Sequence, residues 1–138
     1  MHDSFNIDTP SPDAQHTAHL VLAGEIRFGP CYYSLSVDGY SFGQRIFGDA
    51  HLWSPTSGFL AVQEWLTLDY SEGPITALVL IDVRHRRAAE VARATKRFLV
   101  PESFEDRILA YRNQNAGHGI VEHFNLDIRM ISNWDALA

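Results

Sequence analysis

Seven histidines, one cysteine and 17 acidic side chains are the groups that could carry chemistry here. His16 and His19 lie three apart, a spacing that shares one helix face but not one strand face. His118 and His123 lie five apart, which puts them on opposite faces of a strand. Neither pair sits in a metal-binding motif such as H-E-x-x-H, so the histidines are expected as scattered surface or hydrogen-bonded groups, with no metal site. Cys31 follows Pro30 and precedes Tyr32 and Tyr33. A reactive thiol needs an electropositive, partly exposed setting, so Cys31 is expected as a buried small hydrophobe. A single cysteine also forbids an intramolecular disulfide and a Cys-only zinc site. Asp82 interrupts the apolar run Leu78–Val83 and is expected to face outward or to pair with an arginine of a neighbouring strand, with a buried functional carboxylate as the alternative. The chain has no G-x-S-x-G elbow, P-loop or dinucleotide fingerprint. Gly39–Gly43 is flanked by glycines but opens a strand, so it makes no phosphate cradle. No catalytic residue and no cofactor is assigned.

Charge is unevenly placed. Six basic side chains (Arg84, Arg86, Arg87, Arg93, Lys96 and Arg97) are opposed only by Glu90 between residues 84 and 97. That stripe reads as a solvated or self-paired sheet face, with contact to an acidic partner as the alternative. Acids cluster at predicted turns instead: Asp69 and Glu72 beside Tyr70, and Glu102, Glu105 and Asp106 around Phe104. Turn-borne acids next to aromatics suit a docking rim for a basic partner, where charge speeds association and sets specificity. Asp69, Tyr70, Glu72, Glu102, Glu105 and Asp106 are therefore the expected partner-binding residues.

The elements that must position these groups follow from length and pattern. A chain of 138 residues matches one domain and can bury a core without staples. Apolar residues make up 46% and charged residues 20%, a globular rather than disordered balance. The net charge of −6 argues against general affinity for nucleic acid or anionic membranes. The N-terminus lacks a basic region followed by an apolar run, and no apolar stretch nears the roughly 20 residues of a membrane span. A soluble, cytoplasmic protein is expected. Ten arginines against one lysine, with abundant alanine, suggest a GC-rich bacterial source.

Residues 1–16 are polar, interrupted by Pro10 and Pro12, and read as a loose or covering arm, with Phe5 and Ile7 alternating as in a short edge strand. Residues 17–138 read as one all-β domain. Strands are expected over 18–23, 25–28, 31–37, 40–47, 51–53, 59–66, 75–83, 98–100, 107–112 and 120–128. Asp38-Gly39, Gly48-Asp49, Ser54–Gly58 and Ser71–Pro74 supply turns. Residues 86–97 contain good helix formers, but their place between strands and the missing N-cap favour a strand. About nine or ten strands at this spacing predict a single-domain antiparallel meander, as a twisted open sheet or a sandwich. A short terminal strand or turn is expected after 128, with Trp134 covering the core edge. The aromatics between Tyr32 and Trp65 must fall on both sheet faces, so an uncovered face would be an interface.

Trp53–Val62, with its Ser-Pro turn leading into Phe59-Leu-Ala, resembles the turn and strand of a β-propeller blade. Residues 75–83, 87–92 and 107–111 continue like further blade strands. The resemblance covers about 60 of the 138 residues and carries no catalytic residue. A closed propeller needs at least four blades of roughly 40 residues, so a blade-like open sheet is what the likeness implies. By type, a small, acidic, leaderless single domain is similar to the immunity proteins of bacterial toxin systems. That similarity implies a non-enzymatic protein that binds and blocks a cognate toxin domain. The alternative is a small β-fold enzyme or small-molecule binder with an Asp and one of His51, His85, His118 or His123 in a pocket. A third reading is self-association through an edge strand.

Overall fold

A computed structural model describes residues 6–71, 73–115 and 119–137. These residues form an all-β domain of two antiparallel sheets. The strands are β1 (Ile7–Pro10), β2 (Thr17–Glu25), β3 (Cys31–Val37), β4 (Tyr40–Ser41), β5 (Ile46–Trp53) and β6 (Phe59–Trp65). They continue as β7 (Ile75–Asp82), β8 (Arg87–Thr95), β9 (Arg97–Glu105), β10 (Ile108–Asn115), β11 (Val121–Asp127) and β12 (Asp135–Ala136). The larger sheet runs β1–β2–β3–β5–β6–β7–β8–β12, with β4 folded back on β3, and it does not close. The smaller sheet runs β11–β10–β9.

Strands β6 and β7 are buried on both faces, which explains their nearly unbroken apolar sequences. Alternate residues serve two cores. Leu60, Val62, Val79 and Ile81 point into the hollow of the curled large sheet, with Leu20, Leu35, Val37 and Phe47. Ala61, Leu78 and Leu80 point the other way, against Leu99, Phe104 and Leu109 of the small sheet. Strand β9 crosses β5 to β8 and is fastened to them by side chains. Thr76 Oγ1 donates to the carbonyl of Arg97 at 2.9 Å and accepts from the amide of Leu99 at 3.1 Å. Gln63 Nε2 donates to the carbonyl of Leu99 at 3.0 Å. A side chain at Gly48 would run into the Gln63 amide, so glycine there leaves it room.

The arm covers the opposite core. Ile7 packs against the hollow. Trp53 Nε1 donates to the carbonyl of Thr9 at 3.2 Å, and the amide of Asp13 donates to Ser57 Oγ at 2.9 Å. Phe5 lies outside the described residues.

Several boundaries differ from the sequence expectation. Residues 25–28 are not a strand: β2 ends at Glu25, and a turn follows the buried Ile26. Residues 40–47 are split by a turn in which the Arg45 amide bonds to the carbonyl of Phe42 and Gly43 takes φ +64°. Gly48-Asp49 does not end a strand but lies in an irregular stretch of β5 between paired Phe47 and His51. Residues 98–100 are not a separate strand, because β9 runs unbroken through 97–105, and the turn expected at 104–106 falls at Asp106 and Arg107. The break between β8 and β9 is Lys96, at φ +59°. Residues 87–95 form a strand despite their helix propensity, because Ala88 packs into one core while Ala92 and Ala94 pack against the other.

Candidate functional site

Two loops meet at the end of the large sheet where β2, β6 and β8 finish. The β2–β3 turn is anchored by the fully buried Ile26, whose amide bonds to the carbonyl of Pro30 at 2.8 Å. The β6–β7 loop runs alongside it. The Arg27 amide donates to the carbonyl of Leu68 at 2.8 Å, and the Tyr70 amide donates to that of Arg27 at 2.7 Å. Tyr70 wedges beneath, its ring 6.2 Å from that of Trp65 and 6.1 Å from that of Phe98. Gly29 lies so close to the Tyr70 ring that any side chain there would collide with it.

This hydrogen-bonded base presents two apolar groups to solvent. Phe28 is 73% exposed and Leu68 58% exposed. Phe28 also holds φ at +62°, a region that bulky residues seldom occupy. The Arg27 guanidinium stands 5.0 Å from the Phe28 ring centre. Between these groups, Asp69 accepts from the Ser71 amide at 2.9 Å, and this bond with the Ser71 hydroxyl holds its carboxyl below the usual aspartate range. The ridge therefore carries an ionised carboxylate and the Arg27 cation beside exposed apolar surface.

The sequence-predicted partner residues do not form one rim. Asp69 lies on this ridge and Tyr70 supports it from below. Glu72 is outside the described residues. Glu105 and Asp106 lie where β9 turns into β10, beside the opposite end of β6 and β7. Strand β6 alone spans about 20 Å between these ends. Glu102 is not in a turn: it is the extra residue of a bulge in β9, between Pro101 and Ser103, which pair with Tyr111 and Ala110. Its carboxylate meets His123 Nδ1 at 2.9 Å and Arg112 at 3.6 Å. Those partners occupy the charge expected to face a basic protein.

Each described imidazole is engaged locally. His16 meets Asp38 and His19 meets Asp8, each at 2.6 Å, and His51 meets the carbonyl of Asp49 at 2.8 Å. His85 Nδ1 meets Asp82 at 3.0 Å, and His118 lies outside the described residues. Asp82 is paired with an arginine of the next strand, Arg87, at 2.9 Å, and its side chain is only 2% exposed. Cys31 is not buried but exposed, because it opens β3 at the end of the sheet, beyond the buried Leu35 and Val37 of the same face. No group of three or more metal-ligating side chains occurs among the described residues.

At the other end of the molecule, Arg84, Arg87, Arg107 and Arg129 surround a cleft of about 630 Å³ floored by Phe59 and Trp134. These arginines come from three separate segments, so only part of their convergence was legible in the stripe at 84–97. The ridge was missed for a similar reason. Phe28 reads as the last residue of an alternating strand, and the Gly29-Pro30 turn after it was the available signal. No family model, curated protein or solved structure matches the chain.

Proposed function

We propose that this protein is a non-enzymatic binding protein whose Phe28–Leu68–Asp69 ridge inserts into a partner protein with an apolar pocket rimmed by basic side chains. Phe28 carries the reading. A phenylalanine kept at positive φ and displayed to water costs stability and adds little packing, so its use lies in an external contact. The two-loop ladder preorganises it, which lowers the ordering cost of association. Asp69 and the net charge of −6 suit a basic rim. Blocking of a cognate toxin domain in the bacterial cytoplasm is the narrower form of this proposal, because a projecting ridge of this kind can fill a cleft and exclude substrate.

The test uses the product of the adjacent gene as the partner and measures affinity and inhibition together. Phe28→Ala and Leu68→Ala are each expected to weaken binding by about thirtyfold or more, the loss of a hot-spot residue. Glu105→Lys with Asp106→Lys leaves it unchanged. Failure of the wild-type protein to bind, or binding indifferent to both ridge substitutions, overturns the assignment.

A further inference from the structure

The arginine cleft lies about 20 Å from the ridge, at the far end of β6 and β7, and needs a separate explanation. Four guanidiniums beside one another repel, and a fold gathers them only where counter-charge or a ligand offsets that cost. Two are held from behind. Arg87 Nε donates to buried Asp82 at 2.9 Å, while its guanidinium lies 4.4 Å from the centre of the Trp134 ring. Arg129 grips Asp127 at 2.6 Å. The other two are less committed. Arg84 donates to the carbonyl of Thr56 and stands 4.0 Å from Asp13, and Arg107 forms no ion pair among the described residues. An arginine carries five N–H donors in a planar fork. Among the described residues, no hydrogen-bond acceptor meets either terminal nitrogen of Arg87 or any part of the fork of Arg107.

The floor adds a second requirement. Phe59 and Trp134 face each other with ring centres 6.5 Å apart, and both line the cleft. Apolar rings beneath cationic forks suit a ligand that is flat and unsaturated on one side and anionic on the other. A volume of about 630 Å³ matches a small molecule. The surroundings disfavour a long polyanion, because Asp106 stands at the cleft and the whole chain carries −6.

We infer that this cleft is a binding site for a small planar organic anion: an aromatic or heteroaromatic ring bearing a phosphate or carboxylate group. The arginines receive the anionic group, and Trp134 and Phe59 receive the ring.

Isothermal titration of the full chain with adenosine 5′-monophosphate and with 2-naphthoate tests this, with adenosine and inorganic phosphate as the separated parts of the first and 2-naphthylmethanol and acetate as those of the second. At least one ring-bearing anion is expected to bind ten times more tightly than either part and to shift the Trp134 indole resonance. Response to the monophosphate alone identifies phosphate as the group, and response to the naphthoate alone identifies carboxylate. Arg107→Gln breaks no ion pair and is expected to weaken binding at least tenfold with an unchanged melting temperature, whereas Asp106→Asn tightens it. Phe28→Ala leaves this binding intact, so the ridge and the cleft succeed or fail separately. No binding by either anion, equal binding by the separated parts, or indifference to Arg107→Gln overturns the proposal.

Discussion

Phe28 sits at φ +62° with most of its surface in water, so its backbone and its side chain can be tested apart. Glycine removes the steric cost of that conformation, roughly 1–2 kcal/mol, but loses the exposed cation–π contact and adds freedom to the unfolded chain. Phe28→Gly is therefore expected to stay within about 1 kcal/mol of the parent in denaturant melts while losing the partner. Phe28→Val is expected to fall below it, because a branched side chain fits positive φ poorly. Asp127 makes a second prediction at this scale. The Arg129 side chain, and then the Arg129 amide, lower its pKa from 3.8 to about 2. The native state thus keeps this carboxylate ionised where the unfolded chain has protonated it. Its stabilising contribution is present above about pH 4 and fades as the pH falls towards 2. A carbon-detected titration should place the Asp127 midpoint near 2, and a midpoint near 3.8 would show that the Arg129 clamp does not persist in solution.

At the scale of elements, the joint between the two sheets depends on Thr76. Thr76→Val keeps the shape but strips a partner from the part-buried carbonyl of Arg97 and the buried amide of Leu99. A loss of about 2–4 kcal/mol is expected by urea unfolding, with an unchanged m-value. The strands that the sequence showed best are those whose pattern is local. Cys31–Val37 ends at Asp38-Gly39 as read, and Ile75–Asp82 is unmistakable because both of its faces are buried. The pattern was less informative where a tertiary demand overrode it. The irregular stretch at Gly48 answers to Gln63 on the neighbouring strand, and the bulge at Glu102 answers to the pairing of β9 with β10. The candidate sites were harder still to read. The ridge joins residues about 40 positions apart, and the cleft joins residues from Thr56 to Trp134. Neither neighbourhood leaves a spacing in the chain, whereas the acidic clusters that do have a spacing proved to lie at opposite ends.

The whole molecule is a curled sheet whose hollow is capped by its first strand. Deleting residues 1–12 removes Ile7 from the core and the Thr9 carbonyl from the Trp53 indole. Trp53 is then expected to report a wetter setting as a red shift in fluorescence, with a lower melting temperature. An unchanged spectrum would mean that the arm does not rest on Trp53. Most strands of the large sheet pair with the one just before them, so the greater part of it can assemble in the order of synthesis. Strand β5 skips only the two-residue β4, but β12 departs much further. It must return past the entire small sheet to lie against Arg87 and Ala88. Trp134 travels with it and meets the Arg87 guanidinium only on arrival. The arginine cleft is thus completed after its walls already stand, and ribosome-bound chains shorter than 134 residues would carry its cations and Phe59 without the Trp134 half of its floor.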